Sequence, residues 1–270
     1  MNEKVEKIDE QGKKIDAYGK KVDELAARSI LSDSTRTLLK ESVLPLSLDG
    51  GGKFVPIGVM FFVSPECAVT ANHNLGSKKT DDYVYYKQPG QRSPSMISVC
   101  FQDEQQDFAI LRCGKGKHAH LALLDTSASP PECGVNFLLA AYQIGITEEL
   151  GDDFETTFGL MQGCVTKTSK NHMVYQSTTF AGDSGAALTL VNGNVIGIHV
   201  EGVNQAKERL RKKSDVNERL TEVENSVDGL IKGTAQGCIG LLAHVVLKAL
   251  NGMKEYDGVL SLPNTHVFGK

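Results

Sequence analysis

Thr178-Thr179-Phe180-Ala181-Gly182-Asp183-Ser184-Gly185-Ala186-Ala187-Leu188 sets a serine between two glycines, directly after an aspartate, in a turn that opens onto an apolar strand. Such a turn holds the Ser184 hydroxyl clear of a sheet while the backbone N–H groups of Gly182 and Ser184 converge on one spot, where a developing oxyanion could sit. A serine hydroxyl is a weak nucleophile, so this chemistry needs a histidine base and an acid to orient it. Both lie upstream. His73 ends Ala68-Val69-Thr70-Ala71-Asn72-His73, a strand running into a polar loop, and Asp107 opens Asp107-Phe108-Ala109-Ile110-Leu111.

Taken singly, each piece has a structural explanation: a tight turn, a histidine after a strand, a strand with a polar first residue. Taken in the order His, Asp, Ser, each at the edge of an apolar strand, the T-A-x-H, D-x-A-[IL]-L and G-D-S-G segments resemble the trypsin-like, chymotrypsin-fold serine peptidases. The resemblance implies an all-β chain of two six-stranded antiparallel barrels. The catalytic groups would lie in the cleft between them, His73 and Asp107 from the first barrel and Ser184 from the second. It also implies peptide hydrolysis through an acyl-enzyme, with Ser184 as nucleophile, His73 as general base and acid, and Asp107 orienting the imidazole; neither a metal nor an organic cofactor is needed. Many secreted members are activated by a new N-terminus that inserts beside the aspartate preceding the serine. No such cleavage motif precedes the domain here, so Asp183 must be held otherwise.

Two flanking segments, Tyr175 to Thr179 and Val195 to Gly202, resemble the walls of the primary specificity pocket in bacterial glutamyl endopeptidases and picornavirus-like cysteine proteases. A threonine five residues before the nucleophile and a histidine in a G-[IM]-H motif bind the P1 side chain there, and Thr179 and His199 occupy those positions. Both can donate to a carboxylate or carboxamide oxygen. The expectation is cleavage after Glu, with Gln as the close alternative. A trypsin-like pocket would want an acid near Thr178, and none is present.

The 270 residues, 40% of them hydrophobic, supply a real core, and 29 basic against 33 acidic residues leave a net charge of −4. That balance gives no electrostatic case for nucleic acid. The first residues run straight into charged sequence without the apolar core of a secretory signal. The apolar run Cys238 to Leu250 is short and carries His244 and Lys248, so it reads as a buried helix and not a membrane span. The six cysteines are scattered without C-x-x-C pairing. Secreted relatives bridge a cysteine before the catalytic histidine to one just after it, whereas Cys67 lacks that partner because Asn74 follows His73. These features point to an intracellular, reducing setting.

Residues 4 to 28 carry a seven-residue repeat, Lys7-Ile8-Asp9, Lys14-Ile15-Asp16 and Lys21-Val22-Asp23. It forms a short heptad seam weakened by Gly12 and Gly19. Its function would be tethering or homo-oligomerisation, and the alternative is a solvated, fraying helix. The chain divides into a helical N-terminal segment (1–40), a first barrel (41–130) and a second barrel (131–204). An amphipathic helical insertion (205–233) and a C-terminal helix and tail (234–270) complete it. The strands expected in the barrels run over 54–63, 66–70, 95–101, 107–113, 134–142, 157–166 and 172–177. An Asn192-Gly193 hairpin with type I′ turn residues follows them. Val216, Leu220, Val223, Val227 and Leu230 give the insertion an apolar seam that either packs on the barrel or faces a partner. Gly240 to Asn251 reads as a helix. His118 and His120 form an H-x-H pair without a further ligand at matching spacing, and read as surface loop residues.

A peptidase-like scaffold that binds peptides and assembles through its helices is the competing function. Its signature would be a missing member of the triad, and none is missing. An esterase using the same triad is disfavoured, because the strand-turn-helix G-x-S-x-G context is absent.

Overall fold

The computed structural model describes residues 31–50, 54–114, 116–145, 155–215 and 219–257. The heptad segment at 4–28 lies outside them. The described chain opens with helix α1 (Asp33–Ser42), whose first turn is capped by the Ser32 hydroxyl accepting the Thr35 N–H at 3.1 Å. Six strands follow: β1 (Val43–Ser47), β2 (Gly58–Phe62), β3 (Cys67–Ala71), β4 (Tyr83–Tyr86), β5 (Ser95–Asp103) and β6 (Phe108–Arg112). They close into an antiparallel barrel in the order β1-β2-β3-β6-β5-β4. Six more, β7 (Asn136–Gly145), β8 (Glu155–Thr168), β9 (His172–Ser177), β10 (Ala187–Thr189), β11 (Val195–Gly202) and β12 (Cys238–Leu242), close a second barrel in the order β7-β8-β9-β12-β11-β10. The two orders are the same, offset by six strands. This is the two-barrel, chymotrypsin-like fold.

Strands β1 to β3 are buried on both faces, and the reason lies in the pleat. Leu44, Met60, Phe62 and Ala68 fill the first barrel, while Val43, Val59, Phe61 and Val69 point the other way, into a core shared with the second barrel and with Leu39 of α1. Hence these strands read as unbroken apolar runs and not as alternation. The shared core is what fixes one barrel against the other. Backbone bonds from Leu124 N–H to Val195 O (2.9 Å) and from Val195 N–H to Ala122 O (2.8 Å) add to it along the connecting segment.

Several local expectations are corrected. Cys238–Leu242 is strand β12, and the helix starts only at Ala243, as α4 (Ala243–Asp257). The insertion holds two helices, α2 (Val203–Asp215) and α3 (Glu222–Ile231), where the seam suggested one. The second start is set by a capping box: Thr221 Oγ1 accepts the Glu224 N–H at 3.2 Å, and Glu224 Oε2 accepts the Thr221 N–H at 2.9 Å. Val227, Leu230 and Ile231 pack with Val174 of β9 and Ile239 of β12, so Val227 and Leu230 of the seam are covered by the second barrel, while Leu220 and Val223 are half-buried. The Asn192-Gly193 turn is not type I′. Gly193 N–H bonds Leu190 O at 2.9 Å, and Gly193 alone in that turn has positive φ (85°), the pattern of a type I turn closed by a left-handed glycine. No described helix is long and apolar enough to cross a membrane.

Candidate active site

Strand β3 delivers His73 into a short 3-10 turn, Asn72–Leu75, that ends at Gly76. Strand β6 begins just after Asp107, which sits in the left-handed region at φ 56°, a conformation costly for a residue with a side chain. Three contacts hold it there. Its carbonyl accepts the Asn72 N–H at 3.2 Å, its Oδ1 accepts the His73 N–H at 2.9 Å, and its Oδ2 lies 2.7 Å from His73 Nδ1. The loop before it is fixed by Asp103, whose Oδ1 accepts the N–H groups of Gln105 (3.0 Å) and Gln106 (2.9 Å). One carboxylate therefore grips both the backbone and the ring of His73. Burial pulls the imidazole pKa down, but the hydrogen bond and charge of Asp107, helped by Glu201, outweigh it and leave the pKa raised. The His73 side chain remains 46% exposed, open to a reacting partner.

Ser184 lies in the turn before β10. The turn is built around Asp183, which is fully buried and accepts the Phe180 N–H on Oδ2 at 2.7 Å. Asp183 is thus held by the backbone of its own turn. Gly182 (φ 96°) and Gly185 (φ 88°) supply the left-handed backbone that turns the serine outward. The Ser184 hydroxyl donates to Val200 O at 3.3 Å. Its carbonyl accepts two donors from the first barrel, Val59 N–H at 2.9 Å and Asn74 Nδ2 at 2.8 Å. Asn74 Nδ2 also donates to Thr70 Oγ1 at 3.0 Å, and that hydroxyl donates to Val59 O at 2.7 Å. A Cβ on Gly185 would lie 2.1 Å from Val59 O, so only glycine lets the two barrels meet here. Asn74 is the structural residue of the site that the sequence did not single out; its partner Thr70 is the first residue of the T-A-x-H segment.

His73, Asp107 and Ser184 line one open cleft of about 750 Å³, part of whose wall is made by Arg209, Lys213 and Glu224 of the helical insertion. Arg209 bridges Glu201 Oε1 (2.5 Å) and Glu224 Oε1 (3.3 Å), and Lys213 pairs with Glu224 at 2.8 Å. The wall is therefore charged but locally balanced. His172 of β9 also faces the cleft, buried, with its Nδ1 unbonded among the described residues and its pKa pushed down by burial to about 4.

Thr179 and His199 do not line this cleft. His199 is buried, its Nδ1 is 2.6 Å from the Tyr175 hydroxyl, and burial, with the charge of His73, brings its pKa down to about 4, so it is neutral near pH 7. Thr179 Oγ1 lies 3.3 Å from Cys238 Sγ. His118 is no loose surface residue: it stacks on Phe62 at 4.0 Å and hydrogen-bonds Tyr86 OH (3.1 Å) and Gln88 Nε2 (3.0 Å). His120 Nδ1 lies 3.2 Å from the His118 carbonyl. No cluster of metal-binding side chains occurs among the described residues, and no disulfide joins any two of the six cysteines.

Residues 58–198 match the family model of the trypsin-like peptidase domain. Among solved structures, the active form of the Rv3671c protease from M. tuberculosis aligns over 87% of this chain and 88% of its own, with a TM-score of 0.54 and 15% identity. The HtrA-type protease AlgW with decapeptide aligns over 82% of this chain and 67% of its own (TM-score 0.55, 14% identity). A serine endoprotease from Yersinia pestis aligns over 84% and 69% (TM-score 0.51, 17% identity). At these identities the likeness is one of fold. No curated protein matches the sequence.

Proposed function

The chain belongs to the trypsin-like peptidase family, and from that premise we propose that it is a serine endopeptidase whose nucleophile is Ser184, whose base is His73 and whose orienting acid is Asp107. The observation that carries this is the double grip of Asp107 on the ring and backbone of His73, in the same cleft as Ser184. Rotation about the Ser184 Cα–Cβ bond would trade its bond to Val200 O for one to the imidazole, since catalytic hydrogen bonds are often loose before substrate binds. His73 then takes the hydroxyl proton as Oγ bonds to the peptide carbonyl carbon. The carbonyl electron pair moves to oxygen, where the N–H groups of Gly182 and Ser184 receive it. As the tetrahedral species collapses, the C–N bond breaks and His73 returns its proton to the departing amine. Water, deprotonated by the same imidazole, releases the acyl group and restores Ser184.

The proposed preference is for Glu at P1, with Gln the close alternative. Support comes from the state of His199. In this proposal the buried Tyr175 hydroxyl, 2.6 Å from Nδ1, is the donor to that nitrogen, and the imidazole proton then sits on Nε2 as a donor to a carboxylate or carboxamide oxygen. Thr179 supplies a second donor from the segment before the nucleophile. A positional-scanning peptide library on the wild type and on His199→Ala tests this. The expected result is a Glu or Gln preference that the substitution erases. A preference for Arg, Lys or large apolar residues, or one that survives His199→Ala, would refute it.

A further inference from the structure

Among the described residues, strand β11 is paired on one side only beyond His199. On its β10 side the His199 N–H bonds Ala186 O (2.9 Å) and its carbonyl accepts the Gly185 N–H (2.9 Å). The β10 ladder reaches no further than Ile198. On its other side, β12 continues to pair, with Glu201 opposite Ile239 and Gly202 opposite Cys238. A bulge at Val200 resets the register. Because the Val203 N–H donates to Gly237 O (2.9 Å), the antiparallel alternation turns Glu201 toward β12 and Gly202, between them, away from it. The Gly202 N–H is therefore aimed from an open strand edge, the feature to which an extended peptide adds as a further strand. Val200 and Glu201 of this edge line the cleft with Ser184 and His73.

That N–H is occupied. Gln205, the third residue of α2, reaches back and accepts it on Oε1 at 2.9 Å. A third-position side chain capping the backbone ahead of its helix is one half of a capping box. Gln205 is exposed and also lines the cleft, so nothing buries the contact. We propose that Gln205 is a built-in competitor for the main chain of the substrate: it holds the Gly202 N–H until a peptide carbonyl replaces it, so peptide binding and the capping of α2 exclude each other. The inference rests on the peptide-hydrolysing function proposed above. Strand spacing indicates which substrates feel it. With the P1 residue opposite Val200, the residue two places earlier stands opposite Gly202, because one face of a strand repeats every two residues. A peptide of three or more residues before the scissile bond should compete with Gln205, and a single-residue substrate should not.

The test titrates acetyl-Ala-Ala-Ala-Glu 4-nitroanilide and acetyl-Glu 4-nitroanilide, by calorimetry, into the full chain carrying Ser184→Ala, alone and combined with Gln205→Ala or Gln205→Glu. KM for both compounds is measured in parallel on the protein with Ser184 intact. Removing one competing hydrogen bond should tighten the tetrapeptide by about three- to tenfold. Gln205→Glu, a stronger acceptor at a helix N-terminus, should weaken it. The single-residue compound should respond to neither. Damage to folding would not produce tighter binding that depends on peptide length. Unchanged or weaker tetrapeptide binding in Gln205→Ala, or equal tightening of both compounds, overturns the proposal. Hydrolysis by the wild type without the binding shift sinks Gln205 alone; the shift without hydrolysis supports Gln205 and sinks the peptidase activity.

Discussion

Asn74 joins the nucleophile turn to the opposite barrel through a single amide. It is 5% exposed, and its Nδ2 lies within hydrogen-bond reach of both Ser184 O and Thr70 Oγ1. Asn74→Ala leaves the Ser184 carbonyl with only its Val59 donor and should cost about 1 to 3 kcal/mol. Asn74→Asp should cost more, because it turns a carboxylate oxygen toward that carbonyl. Denaturant unfolding measures both, and midpoints equal to the wild type would remove the junction from the account. His73, Asp107 and Ser184 were legible in the sequence because each stands where an apolar strand meets a polar loop, in a fixed order. Asn74 was not. Its partners lie 4 and 110 residues away, and a lone asparagine carries no periodicity that would announce them. Asp107 was legible as an acid but not as a residue held at positive φ, since that conformation is imposed by the three contacts around it.

Among the elements, most strands of the two barrels could be read from apolar runs bounded by turn residues, and the misreadings share physical causes. β1 was missing from the strands expected in the first barrel because Pro45 interrupts its apolar run. The structure accommodates the proline because pairing with β4 begins only at Leu46, beyond it. Cys238–Leu242 passed as helix because it is buried all round, and a short apolar run has no period that separates strand from buried helix. The insertion passed as one helix because its seam keeps a three-four spacing across the break, although Thr221 and Glu224 spell a second start. Where those helices go was not legible at all. That α2 and α3 turn their charged face toward the cleft follows from packing of Val227 and Leu230 on Val174 of β9, a contact between segments far apart in sequence.

At the scale of the whole molecule, the two barrels enclose imidazoles that burial keeps neutral. His172 and His199 each titrate near 4, mainly through desolvation, while in the unfolded chain they take up protons near the ordinary value of 6.5. Their folded pKa values are depressed, so the stability they contribute is complete above about pH 6.5 and is lost as pH falls toward 4, by roughly 3 kcal/mol for each. Thermal unfolding followed from pH 7 to pH 4 should fall steeply in that window, and His172→Leu should flatten the fall; a flat profile for the wild type would contradict the burial of these rings. His73 behaves in the opposite sense. Its raised pKa moves the acid limb of kcat/KM above the ordinary histidine value, and Asp107→Asn should bring it down. All of this presupposes an activated serine. The most direct measurement is reaction of the full chain with a fluorophosphonate, followed by mass-spectrometric mapping of the adduct. The account predicts a single adduct on Ser184, formed faster as pH rises through the His73 titration and lost in Ser184→Ala and in His73→Ala; no adduct on the folded wild type, or labelling that survives Ser184→Ala, would contradict it.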